Sequence, residues 1–167
     1  VFVDDHWYRG AVRVIRQGDR LMAINHLDLE SYLYSVVGSE MPASWPIEAL
    51  KAQAVAARSY ALVHIVRPAD DHFDLGDTPR WQAYSGVSTE TQDTLNAVDA
   101  TRGVLISYEG GVVESLYAST DGLVQEAHSG YGMSQYGAKD LADQNLSYGQ
   151  ILGRFYPGTH LALLQAE

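Results

Sequence analysis

The stretch LESYLYSVVGSEMPASWPIEALKAQAVAARSYALVHIV, residues 29–66, carries two helical patterns with a short break between them. Leu29, Tyr32, Leu33, Val36 and Val37 recur at three- and four-residue spacing, which predicts a helix over 29–37 with Asp28 as its N-cap. The helix is expected to stop near Glu40, because the residue before Pro42 is pushed out of the helical region. Pro46 suits the first turn of a second helix, with Ser44 a candidate cap, and that helix should run over 46–66 until Pro68 ends it. Ala49, Ala52, Ala54, Ala56, Ala57 and Ala61 make it small-sided nearly all round, as suits a central helix approached closely by its neighbours. Within that apolar body Gln53 and Arg58 stand out.

Residues 11–28 alternate apolar with polar around Gln17-Gly18-Asp19, the pattern of a β-hairpin. Residues 67–86 are polar and carry Pro and Gly, which predicts a long loop closing on a short strand at 81–84. STETQDTLNAVDATRG, residues 88–103, reads as a helix started by Ser88 or Thr89 and ended at Gly103. GVLISYE and VVESLYAST read as two strands joined by Gly110-Gly111. A glycine-rich turn then leads to helices expected over 134–143 and 147–155, the last stopped by Pro157. The fold class is α+β: one domain over 1–167, a central alanine-rich helix packed against short antiparallel strands and smaller helices.

Composition narrows the partners. The chain has 167 residues, 46% of them hydrophobic, enough for one ordinary core. A formal charge of −10, with only 11 Lys and Arg and those scattered, argues against a nucleic-acid surface. No apolar run is long enough to span a membrane, and VFVDDHWYRG lacks the features of a signal peptide, so a cytoplasmic chain or a mature exported fragment is expected. The absence of cysteine excludes disulfides and thiolate metal sites without fixing the compartment. The 11 tyrosines and 3 tryptophans offer flat faces that stack on sugar rings, and the same residues are common in cores and interfaces.

Glu40 is the candidate acid. A carboxyl at a helix C-terminus faces the negative end of the macrodipole, which raises its proton affinity. Burial by Val36, Val37, Met41 and Trp45 would push it further, as in a general acid working near neutral pH. A glutamate at such a place is also commonly a solvated or capping residue. Glycosidic cleavage ordinarily uses two carboxylates, and no second acid is tied to Glu40 by spacing. One acid suffices where a neighbouring acetamido or hydroxyl group of the substrate acts as nucleophile. Arg58 has two readings: a grip on Glu40 or a substrate carboxylate, or an ion pair with Glu48 or Glu90. The six histidines show no metal-binding spacing, and Ser119 lies in no nucleophile-elbow pattern. HSGYGMSQYGA has no lysine after its glycines, which argues against a phosphate cradle.

The run LDLESYLYSVVGSEMPASWPIEALKAQAVAARSYAL closely resembles the core of the stage II sporulation protein D / LytB (amidase-enhancer) family. WQAYSGVSTET, ATRGVLISYEGGVVESLYASTDG and GYGMSQYGAKDLADQNLSYGQILGRFYPGT resemble it in the same order. The resemblance implies an extracytoplasmic, peptidoglycan-acting domain of the cell wall or periplasm, with glycan strands as substrate and a cell-wall amidase as a partner. Its enzymes are lytic transglycosylases whose catalytic acid matches Glu40. Tyr84, Ser119, Thr120, Gln135 and Arg58 are the residues expected near it. No cofactor is implied. Some members bind zinc through Cys and His in the loop matching HFDLGDTPRWQAY, where this chain has Gly76, Arg80 and Trp81, so a metal site is not expected here; His72 alone cannot hold zinc. A second departure is a shortened or missing segment near 122–128, where only LVQEAHS separates STDG from the glycine-rich turn. Ser129 stands in the slot the family fills with histidine, and His128 falls one position early.

Overall fold

A computed structural model describes residues 1–68, 70–76, 78 and 81–164. The chain begins with two short strands, β1 (Phe2–Val3) and β2 (His6–Trp7), followed by β3 (Ala11–Gln17) and β4 (Arg20–His26). β3 and β4 form the expected hairpin, with Gln17 opposite Arg20 across the Gly18-Asp19 turn. α1 (Leu29–Glu40) follows, and the Asp28 side chain accepts from the Ser31 N–H as its cap. α2 (Ile47–Val66) is capped by the Pro46 backbone position without a side-chain bond, so Ser44 is not its cap. The fixed φ of proline preorganises the first turn instead.

α2 is the axis of the fold. Every residue from Ala52 to Ala61 is buried, which covers all faces of the helix. A helix coated all round needs small side chains where neighbouring backbones come close, and the alanines supply them. A 3-10 turn (Gly86–Thr89) and α3 (Gln92–Ala100) come next. The cap of α3 is Thr91, in a reciprocal capping box with Thr94, and not Ser88 or Thr89, which lie in the 3-10 turn. β5 (Val104–Tyr108) and β6 (Gly111–Val112) make a tight hairpin. Its turn is Glu109-Gly110, both at positive φ, one residue earlier than the Gly-Gly pair suggests.

The predicted second strand then divides. After β6 the chain leaves that sheet, and β7 (Tyr117–Ala118) pairs in parallel with β8 (Met133–Ser134). Between them lies α4 (Asp121–His128), a helix within the segment that resemblance marks as short, ended by Ser129 in the left-handed conformation. α5 (Gln135–Asp143) and α6 (Tyr148–Phe155) start at Ser134 and Ser147 as expected, each capped by that serine's side chain. β9 (His160–Leu163) closes an antiparallel sheet in the order β6-β5-β9. The helices α1, α3, α5 and α6 and strand β5 all pack on α2. The expected strand at 81–84 is irregular backbone: the Ala83 N–H donates to the Glu40 side chain and the Trp81 N–H to the Thr78 carbonyl, not to a ladder.

Arg58 ties this assembly together. It is fully buried, donates through Nε and Nη2 to both oxygens of Glu30 at 2.9 and 2.7 Å, and through Nη1 to the Val104 carbonyl at 3.0 Å. Its ion-pair partner is therefore Glu30, not Glu48 or Glu90. Glu48 binds Lys51 and the Tyr148 N–H, and Glu90 binds Arg9. Glu30 also accepts from the Gly103 N–H at 3.2 Å, so a single charge pair joins α1, α2 and the start of β5. Removing one member of such a pair strands the other charge. Arg58→Met should lower stability by about 3–5 kcal/mol, read as a drop in the urea midpoint, with Arg58→Lys intermediate because an ammonium cannot reproduce the planar fork.

Candidate functional site

Glu40 is the last residue of α1, and Met41 beyond it takes an extended backbone while its N–H still closes the helix on the Val37 carbonyl. The side chain turns into the protein. Oε1 accepts from the Ala83 backbone N–H at 2.8 Å, and Oε2 from Gln135 Nε2 at 3.0 Å. The Tyr117 hydroxyl also stabilises the ionised carboxylate. Burial is the largest influence and raises the proton affinity of Glu40; the Ala83, Gln135 and Tyr117 donors pull the other way and leave a net upward shift. The groups hydrogen-bonded to this carboxylate are a peptide N–H and an amide, so it is neutralised neither by a guanidinium nor by an ammonium.

Gln135 is held by its position. It opens α5, directly after the capping Ser134, and its Nε2 lies between Glu40 and the Oε1 of Gln53 at 3.4 Å. Gln53, the polar exception on α2, is fully buried, and its own Nε2 has no hydrogen-bond partner among the described residues. With acceptors on both contacts of its Nε2, the Gln135 amide has little freedom to flip.

An aromatic pair joins the break after Glu40 to the residue after Gln135. Trp45, from the break between α1 and α2, packs against Tyr136 with ring centroids 5.0 Å apart. Tyr136 follows Gln135 directly, its N–H is fixed by the Ser119 carbonyl at 3.0 Å, and its side chain is 54% exposed. A surface depression of about 390 Å³ lies apart, lined by residues including Asp121, Gln125, Tyr131 and Arg154, and does not include Glu40. The site is thus defined by the bonding of its carboxylate rather than by the shape of that hollow.

The other sequence candidates divide. Gln135 touches Glu40, and Ser119 supports the neighbouring Tyr136 through its carbonyl. Tyr84 is next to the Ala83 donor, but its hydroxyl turns to Asn25 Oδ1 and its ring lies against Tyr8 and Tyr32; burial pushes the phenol up to about 12. The Thr120 hydroxyl caps α4 by accepting from the Leu123 N–H, which gives it a structural task. Arg58 is remote in its bonding: each polar atom that it turns outward is engaged with Glu30, Val98 or Val104. Sequence reasoning passed over Ala83, Gln82 and Tyr117. Nothing marks Ala83, whose contribution is backbone, whereas the Gln82 amide inside an otherwise apolar-aromatic segment is a signal of a buried polar contact. Arg80, set against the family's zinc loop, lies outside the described residues. Among the described residues, no cluster of three or more His, Cys, Asp or Glu is placed to hold a metal ion, and no helix is long and apolar enough to cross a membrane.

The raised proton affinity has a consequence for stability. Glu40 in the unfolded chain titrates near the ordinary value of 4.5, and in the folded protein above it. Its contribution is therefore fully present below the unfolded value and lost as pH rises through the folded one. Relative to Glu40→Gln, the wild type should lose stability from pH 4 to pH 8, seen as a growing gap between their melting temperatures; a constant gap would mean that the carboxyl titrates as if in water.

The chain is 38% identical over 116 residues to an uncharacterized protein of Brachyspira hyodysenteriae, covering 69% of this chain and 32% of that one. It is 39% identical over 95 residues to the amidase enhancer of Bacillus subtilis, covering 57% and 12%. With stage II sporulation protein D of Bacillus subtilis it shares 32% identity over 123 residues, covering 64% and 36%. The matches thus span little more than a third, or less, of those longer relatives. The profile of the family described as SpoIID, Stage II sporulation protein, matches residues 17–108, more than half of the chain and the whole of the α1–break–α2 unit that presents Glu40, and the chain belongs to that family.

Proposed function

We propose that this domain is a peptidoglycan lytic transglycosylase with Glu40 as its one acid. The observation that carries the reading is a half-buried carboxyl with raised proton affinity, bonded to neutral donors and free of a neutralising cation. Such a group is protonated more readily than a solvated glutamate, which is the requirement for a general acid. The acid's hydrogen-bond partners include no second carboxylate of the kind that would activate water or attack the sugar. The nucleophile then comes from the substrate. Glu40 protonates the oxygen between N-acetylmuramic acid and N-acetylglucosamine, and the bond from the muramic C1 to that oxygen breaks with its electron pair leaving on the oxygen. The muramic C6 hydroxyl oxygen bonds to C1, and its proton passes to the Glu40 carboxylate, restoring the acid and consuming no water.

The exposed Tyr136, backed by a half-buried Trp45, supports a saccharide substrate, since aromatic faces stack on sugar rings. The place of action in this reading is outside the cytoplasmic membrane, on glycan strands. A second reading comes from one relative's name, the amidase enhancer: a module that docks on glycan or on a cell-wall amidase without cutting.

Purified sacculi, intact and stripped of stem peptides, incubated with wild type or Glu40→Gln and analysed by mass spectrometry, separate these readings. Anhydro-muramyl ends are expected from wild type, with their rate reduced about 10²- to 10⁴-fold in Glu40→Gln. Ordinary reducing ends would make water the acceptor, and no product with sacculus binding retained would favour the docking module. Tyr136→Ala should weaken glycan binding about two- to tenfold, measured by co-sedimentation with sacculi, while leaving the melting temperature almost unchanged.

A further inference from the structure

The glycine-rich turn that delivers Gln135 to the acid also lines the depression that lies apart from it. Ser129, Gly130 and Gly132 hold positive φ, so the chain folds back tightly after α4. A Cβ at Gly132 would stand 2.6 Å from the Leu116 carbonyl oxygen, and one at Gly130 would stand 2.8 Å from Gln125 Oε1, so these positions leave room only while they carry no side chain. Tyr131, between the two glycines, is 79% exposed and forms a wall. Val124, Phe155 and Pro157 give the hollow an apolar lining.

The walls are tied to one another. The Leu116 carbonyl accepts from the Met133 N–H at 3.0 Å and from the Tyr156 hydroxyl at 2.7 Å, joining the turn to the end of α6. The Gly130 N–H donates to the Val124 carbonyl at 3.1 Å and the Tyr131 N–H to the His128 carbonyl at 2.9 Å, joining the turn to α4. The hollow of about 390 Å³ is therefore formed before anything enters it, and its size suits an amino-acid-sized group.

Its polar groups are uncommitted. Asp121 and Arg154 are the only charged residues that line it, one of each sign, and both are exposed. They pair neither with each other nor with any other described residue, and the side chains of Gln125 and Tyr131 make no hydrogen bond among the described residues. Helix ends fix which sign stands where. Asp121 is in the first turn of α4 and Arg154 in the last turn of α6, each the charge that its helix terminus favours. A neutral sugar would use neither charge. A group with a carboxylate and an ammonium would use both, since a guanidinium grips a carboxylate through paired N–H donors and Asp121 accepts from an ammonium. The Gln125 amide and the Tyr131 phenol can both donate and accept, as a peptide bond between the two charges requires.

We propose that this hollow is a binding site for a zwitterionic peptide, the stem peptide of peptidoglycan, held by a carboxylate at Arg154 and an ammonium at Asp121. The choice of ligand rests on the peptidoglycan reading above: stem peptides carry free carboxylates and the amine of a diamino residue. The stretch from Gly130 to Gln135 lines the hollow at one end and bonds Glu40 at the other, so a peptide seated here is anchored to the turn that positions the acid's partner. α4, the source of Asp121 and Gln125, spans the segment that sets this chain apart from the pattern it resembles.

The test reads binding, not turnover. Protein labelled with ¹⁵N is titrated with the tetrapeptide alanyl-γ-glutamyl-lysyl-alanine and followed by NMR. The Gly130, Tyr131 and Gly132 amides and the Gln125 side-chain amide should shift together and saturate, with a Kd on the order of 1 mM. Arg154→Gln should weaken binding about tenfold, the worth of a hydrogen bond between charged groups. Amidating the peptide carboxylates should cost the wild type the same factor and Arg154→Gln nothing further; acetylating its amines should stand in the same relation to Asp121→Asn. Shifts that fail to saturate, variants that bind as the wild type does, or losses that add would overturn the proposal. So would a peptide-free muramyl tetrasaccharide that moves these resonances instead, since the hollow would then be a glycan subsite. Anhydro-muramyl products without peptide binding reject only this site, whereas peptide binding without products rejects only the transglycosylase reading.

Discussion

Met41 precedes Pro42 and therefore adopts an extended backbone, φ −131° and ψ 141°, which ends α1 at Glu40 and turns the chain toward the start of α2. The rest of the site depends on that enforced stop. A helix continuing past residue 40 would carry the glutamate away from the irregular segment at Ala83 and from the N-terminus of α5. The stop also leaves the carboxyl at the negative end of α1, where the helix offers it no backbone donors, so donors must come from elsewhere in the chain. Ala83 and Gln135 are 43 and 95 residues away.

The rigidity of this arrangement comes from α2 and its coating. Side chains reach its backbone carbonyls from several directions: Ser115 at Ala56, Gln82 at Ala57. Each such bond satisfies a polar group that would otherwise be costly to bury. Gly38 shows how close the packing is on the opposite side of α1, where a Cβ would lie 2.0 Å from the Thr89 carbonyl oxygen. Ser35, Ser39 and Thr89 share hydroxyl contacts across the same seam. The acid thus projects from a helix held on one side by the 3-10 turn and on the other by the central helix.

Much of this was legible in the sequence because it is local. The two helices around the break, the hairpin at Gly18-Asp19 and the serine caps of α5 and α6 follow from periodicity and from side chains that bond within a few residues. Glu40 was legible for the same reason, since a proline fixes where its helix ends. The partners of Glu40 and Arg58 were not, because they are set by contacts across distant parts of the chain: spacing gives no means of choosing Glu30 over Glu48 or Glu90 for Arg58. Residues 81–84 look strand-like in isolation, yet tertiary bonds from Gln82 and Ala83 override that tendency. α4 is short, eight residues, and owes its form to the Thr120 cap and the left-handed Ser129 more than to an apolar stripe, so periodicity misses it.

The central claim is that one carboxyl, delivered by the break between two helices, meets the glycosidic oxygen of a glycan strand. A crystal structure of Glu40→Gln with a peptide-free muramyl tetrasaccharide tests it most directly. The account predicts a glycosidic oxygen within hydrogen-bond distance of the residue 40 amide, the muramic C6 hydroxyl turned toward C1, and a sugar ring on the Trp45–Tyr136 edge. A saccharide bound with its scissile oxygen away from residue 40, or seated in the Tyr131–Arg154 depression alone, would contradict it.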